Sequence, residues 1–123
     1  MKWAGGKAGE NYACQGNILT GEDVVANMAQ AFEDAKGPLA WRMMAALEAA
    51  ERAGGDSRGK QSAAIYIARE RGGYYRMNDR LLDLRVDDSD HPIQELKRIL
   101  ALQIRNPATR PATTRAASTR AAP

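Results

Sequence analysis

A chain of 123 residues has room for one domain at most, and its single cysteine excludes both an internal disulfide framework and a multi-cysteine zinc site. The formal charge of +3 is unevenly placed: residues 1–106 hold 15 basic and 15 acidic side chains, and the excess comes from Arg110, Arg115 and Arg120. The body of the chain is therefore neutral, which argues against a basic nucleic-acid-binding fold. No apolar run is long enough to span a bilayer, and Met1-Lys2-Trp3-Ala4-Gly5-Gly6 lacks the apolar core of a signal peptide, so a cytoplasmic location without a membrane partner is expected.

The first residues form a glycine-rich, turn-like stretch, with no initiating strand or helix expected before Tyr12. Tyr12 to Leu19 reads as a short extended segment with a turn at Gly16-Asn17. Thr20-Gly21-Glu22-Asp23 has the spacing of a helix N-cap, and Val24, Val25, Met28, Phe32 and Ala35 then fall on one apolar stripe. Gly37-Pro38 ends this helix and starts another. Leu39, Met43, Leu47 and Ala50 form the second stripe, and Glu48 with Arg52 has favourable i,i+4 spacing. So short a link predicts an antiparallel helix pair.

The period then changes. Ala63 to Ala68 is nearly continuous in apolar residues, with β-branched and aromatic members, and reads as a strand built to be covered on both faces. Tyr74 and Tyr75 follow the Gly72-Gly73 turn as the return of a hairpin. Leu82, Leu84 and Val86 alternate with Asp83, Arg85 and Asp87, which is a strand with one wet face. Pro92 opens a last helix with Ile93, Leu96, Leu100 and Ile104 on one side. Residues 107–123 contain only Pro, Ala, Thr, Ser and Arg and read as a disordered tail. The fold class is thus α+β: an antiparallel helix pair, two to three antiparallel strands and a C-terminal helix.

Four features invite chemistry. Gly54, Gly59 and Lys60 match a phosphate-binding loop, but Gln61 stands where a magnesium-ligating hydroxyl is needed. The loop also runs from helix to strand, the reverse of the required order, so no nucleotide cofactor is expected. Asp87-Asp88-Ser89-Asp90-His91 could ligate a hard cation, yet it lacks an EF-hand's spacing. Asp side chains ahead of Pro92 are better read as helix caps, and no metal is expected. Cys14 would need His91 as its base for nucleophilic work, and nothing in the sequence brings the two together. Asn78-Asp79-Arg80 is either a turn or a polar cluster at a strand edge.

Taken together, three segments carry a family likeness: Tyr12-Ala13-Cys14-Gln15-Gly16-Asn17-Ile18-Leu19, Gly54 to Ala64, and Asn78-Asp79-Arg80 with Asp83 to Asp88. They resemble an uncharacterised bacterial family, a domain of unknown function assigned to the N-terminal-nucleophile (Ntn) hydrolase superfamily that includes proteasome subunits. The match runs from about Trp3 to about Leu102 and covers only the C-terminal half of the family domain, which implies a partial helix–sheet–sheet–helix architecture over residues 1–106. In that superfamily an N-terminal Ser, Thr or Cys attacks an amide carbonyl, with the chain's own α-amino group as base. Met1-Lys2-Trp3 offers no such residue, so catalysis by this chain alone is not expected. Gln15, Asn17, Ser62, Asn78 and Asp79 stand in matching motifs and are implied to support the cleft. An incomplete sheet is marginal by itself, so pairing with a missing N-terminal half or with further copies is expected. The competing expectation is a small interaction module whose Arg-rich tail contacts an acidic partner.

Overall fold

The computed structural model describes residues 2–107. It is α+β, with element order β1 (Trp3–Gly9), β2 (Tyr12–Leu19), α1 (Asp23–Asp34), α2 (Leu39–Arg52), β3 (Ala63–Ala68), a 3-10 turn (Tyr74–Arg76), β4 (Arg80–Val86) and α3 (Pro92–Gln103). Two antiparallel sheets of two strands each, β1-β2 and β3-β4, share one layer of helices. α1 packs on β1 and β2, α2 lies against α1 and β3, and α3 covers β4 and β3. The tail expected over 107–123 lies, apart from Pro107, outside the described residues.

The first hairpin departs from the sequence expectation in two ways. A strand does precede Tyr12: β1 pairs with β2 across the two-residue turn Glu10-Asn11, from Gly9↔Tyr12 back to Trp3↔Leu19. Its composition hides it, because glycine weakens a strand by itself. At Gly5 the missing side chain is used: a Cβ there would overlap the Trp3 ring, so the glycine makes room for the indole. Gly16-Asn17 is not a turn but the interior of β2, and the irregularity lies between Trp3 and Gly5, opposite Ile18. Ile18 adopts φ 54°, rare for a β-branched residue, at the register shift between the strands.

The helix pair forms as the spacing predicts, with corrected details. Thr20 does not cap α1; Glu22 occupies the cap position and makes no side-chain bond, while the Thr20 N–H donates to Gly55 O at 3.0 Å. On α2 the fully covered residues are Ala40, Trp41, Met44, Ala46 and Ala49, one step away from the expected stripe, and Leu39 is exposed. α2 lies between α1 on one side and β3 with α3 on the other, so it buries two faces and leaves Met43 and Leu47 at a margin. Glu48 does not turn along its own helix to Arg52. It meets Lys97 of α3 at 3.0 Å, and the Trp41 indole N–H donates to Ile104 O at 3.0 Å beside it.

β3 is covered on one face only. Ile65 and Ile67 join Leu82, Met44, Leu96 and Leu100 in the larger core, whereas Ala64, Tyr66 and Ala68 are exposed, Tyr66 by 56%. The expected two-sided burial therefore does not occur among the described residues. Tyr74 and Tyr75 are not a return strand either: they stand in the 3-10 turn, Tyr75 at φ 52°, and β4 begins only at Arg80. A smaller core lies under the first hairpin, where Cys14 meets Val25 and Ala29. Beside it the Tyr12 ring stands 5.0 Å from the Phe32 ring, and the Arg42 guanidinium lies over the Phe32 ring, 4.2 Å from its centroid. This ladder ties β2 to both helices of the pair.

Candidate functional site

The segment after α2 is where chemistry seemed nearest in the sequence, and its geometry is that of a brace. The Gly54 and Gly55 N–H groups bond back to Glu51 O (3.1 Å) and Ala50 O (2.9 Å), closing the helix. The chain then runs beside the end of β2: Asp56 bridges to Leu19, and Ser57 N donates to Ile18 O at 2.8 Å. Asp56 makes the following turn by accepting from Arg58 three times, from its backbone N (2.7 Å), Nε (3.0 Å) and Nη2 (2.7 Å). Lys60, the residue a phosphate loop would aim at its ligand, lies 3.6 Å from the Glu51 carboxylate. The backbone donors of this loop are thus directed to β2 and to Asp56 rather than converging on an anion.

Those Arg58 bonds, the side-chain ones foremost and the backbone one second, pull the Asp56 carboxyl down to about 2 from its ordinary 3.8. A carboxylate held below its unfolded value supports the fold above that unfolded value, and the support is lost as pH falls through the folded one. The turn is accordingly expected to stay closed at pH 4 and to open near pH 2. Arg58→Ala should move the Asp56 midpoint back toward the ordinary carboxylate range, as followed by carboxyl chemical shift. An Asp56 midpoint unmoved by that substitution would contradict the brace.

Between this loop, the end of β2, the helix pair and the segment after β4 lies an open groove of about 1060 Å³. Its floor is apolar, with Leu19, Met28, Leu47 and Ile93, and its rim is polar. Gln15 and Ser62 both line that rim. So do Asp88 and Asp90 from the acidic cluster and Lys60 from the loop, a convergence that sequence spacing did not reveal. Asn17 is exposed on β2 but does not line the groove. Asn78 and Asp79 are elsewhere, in the connection between β3 and β4: Asn78 Oδ1 accepts from Arg80 N and Asp79 Oδ1 from Arg71 N, each at 2.9 Å. Both are turn-forming side chains.

The acidic cluster does not cap α3. His91 occupies the cap position without a side-chain bond, Ser89 Oγ accepts from His91 N at 3.0 Å, and Asp88 accepts from Gln61 Nε2 at 3.2 Å. Pro92 as the first helical residue removes one N–H that a cap would have served. Among the described residues no group of three or more His, Cys, Asp or Glu is gathered as a metal centre would require. Cys14 is buried under α1, which pushes its thiol pKa up, and His91 is exposed at the start of α3 on the other sheet, so the two form no catalytic pair. Among the described residues no helix is long and apolar enough to cross a membrane.

Comparison with known proteins now adds to this geometry. A family model described as a family of unknown function, DUF1028, matches residues 1–96. The solved structure of protein SPO2555 from Silicibacter pomeroyi, described with the same family label, is similar at 27% identity and a TM-score of 0.71. The likeness covers 85% of this chain but 42% of that one, so the chain spans less than half the length of the neighbour it resembles. None of the curated proteins matches.

Proposed function

Since the chain belongs to the DUF1028 family of unknown function, we propose that it supplies one portion of a larger α+β domain of the Ntn amide-hydrolase type and does not itself carry the nucleophile. The helix layer and two strand pairs would be completed by polypeptide outside residues 1–106. The observation that carries this reading is the pairing of 85% coverage of this chain with 42% coverage of the solved neighbour. The exposed outer face of β3 and the two-strand sheets point the same way, because strand pairs of this size gain stability from a third strand or a covering layer. Within such a domain Gln15 and Ser62 hold the rim of the cleft, while Asn17, Asn78 and Asp79 shape the strands and turn that frame it. An amide or hydroxyl on a cleft rim can donate to developing oxyanion charge.

The test is the behaviour of the purified chain. Sedimentation velocity and thermal melts over a wide concentration range should show self-association and a midpoint that rises with concentration. The chain alone should not hydrolyse peptide amides. A monomer with one sharp, concentration-independent melt would overturn the partial-domain reading, and amide hydrolysis by the pure chain would overturn the external nucleophile.

A further inference from the structure

The two sheets differ at their edges in a way that assigns a use to the groove. β1 carries one charged side chain, Lys7, and β4 carries three, Arg80, Asp83 and Arg85. Charge on an edge strand is a recurring guard against unwanted pairing. β2 and β3 contain neither a charged residue nor a proline. Each unguarded strand is paired on one side with a guarded one, and among the described residues its other side has no partner strand beyond the single Leu19↔Asp56 bridge at the end of β2.

Those unpaired sides reach the groove at one point each, Gln15 of β2 and Ser62 just ahead of β3. Gln61 O accepts from Ser89 N (2.9 Å) and Arg69 N donates to Asp79 O (2.8 Å), so odd-numbered residues at both ends of β3 bond toward the β4 side. Alternation along a strand then directs the backbone groups of Ser62, Ala64 and Tyr66 to the opposite edge, and Ser62 lines the groove. In the first hairpin the Gly9↔Tyr12 closure places Tyr12 and Cys14 toward β1, leaving Ala13 and Gln15 outward, and Gln15 lines the groove from its other side. Farther along that same edge of β2, the 55–57 segment has already added itself as a strand-like partner, through Ser57 N to Ile18 O and Thr20 N to Gly55 O.

We infer that the groove between β2 and β3 is a strand-addition cleft. Its occupant is an extended polypeptide segment other than residues 1–123, with apolar side chains at alternate positions, set down on the helix floor to join the two hairpins into one sheet. Main-chain bonds to the Ala13–Gln15 and Ala64–Tyr66 edges would hold it, and alternate side chains would meet Met28, Leu47 and Ile93. The inference rests on the partial-domain reading above and deepens it by naming where the completing polypeptide enters. The solved neighbour has 58% of its length outside the likeness, which is where a counterpart of such a segment would lie.

The probe is a synthetic nine-residue peptide alternating Val with Thr or Lys, added to the full chain, with amide hydrogen exchange read residue by residue. Peptide at about ten times its dissociation constant should slow exchange of the Ala13, Gln15, Ala64 and Tyr66 amides about tenfold. Ala4 and Ala8, on the outer edge of β1, should be unaffected. Gln15→Pro removes an outward N–H without touching a bond to β1, and should abolish the protection at Ala13; Ala8→Pro on the outer edge should not. A peptide with proline at its centre checks that main-chain pairing is the cause. Protection that appears without peptide and grows with chain concentration would show a second copy in the groove and overturn the proposed occupant. Protection already present in the dilute monomer would show the chain's own remaining residues there and overturn it likewise. Absence of protection, or protection on β1 and β4 instead, overturns the cleft itself, while the sedimentation and melting result stands or falls separately.

Discussion

Met44→Ala is expected to destabilise the protein by about 2–5 kcal/mol, the range for emptying a fully enclosed large side chain. Met44 has no exposed surface and is central to the cluster in which α2, β3 and α3 meet, touching the layer that Ile65, Leu96 and Leu100 complete. Ordinary domains hold a net stability of about 5–15 kcal/mol, and one built on two-strand sheets belongs at the lower end. The loss is therefore comparable with the whole. Denaturant titration by circular dichroism should show a folded baseline shortened or absent for Met44→Ala. Leu102→Ala, on the exposed side of α3 at 76% accessibility, should fall within about 0.5 kcal/mol of the parent. Equal effects at the two positions would mean that the core does not sit where Met44 places it.

The second large effect belongs to the brace after α2. Gly54 has φ 121° and Gly59 has φ 112°, both in the left-handed half of backbone space that side chains rarely enter. They differ in surroundings: a Cβ at Gly54 would overlap the Thr20 hydroxyl, whereas nothing lies near one at Gly59. Gly59→Ala should thus report backbone strain alone, about 1–3 kcal/mol. Gly54→Ala adds displacement of Thr20, whose N–H holds Gly55 O, and so loosens the seam between β2 and the loop. Thermal melts of the two variants compared side by side decide the matter. A Gly59 variant as damaged as the Gly54 one would remove the steric part of the argument.

How legible this was in sequence depends on which physical signal each element carries. The three helices show themselves because an amphipathic stripe follows from their period, and β3 and β4 because β-branched and alternating residues are frequent there. β1 escaped because three glycines in seven residues suppress intrinsic strand preference; what makes it a strand is pairing with β2, and pairing is non-local information. Trp3 two residues before Gly5 was the available clue, since an aromatic ring over a glycine is a strand device. Tyr74-Tyr75 has strand composition but a left-handed residue, so tertiary and turn constraints override preference there. Of the proposed cleft residues, Gln15 and Ser62 converge and Asn78 and Asp79 do not. Motif membership carries no distance, and only the course of the 54–62 segment past β2 brings Gln15 and Ser62 to one rim.

One property of the topology reaches into how quickly this polypeptide organises. β1 with β2, α1 with α2, and β3 with β4 each join neighbours along the chain, the first pair through two residues and the second through the four residues 35–38. Local pairings close small loops and lose little entropy before contacts reward them, which is the condition for rapid folding. The kinetically demanding step, joining distant strands into one sheet, does not occur among the described residues. On the partial-domain proposal that step falls at the encounter with the completing polypeptide, so assembly rather than folding would set the pace at which the finished domain appears.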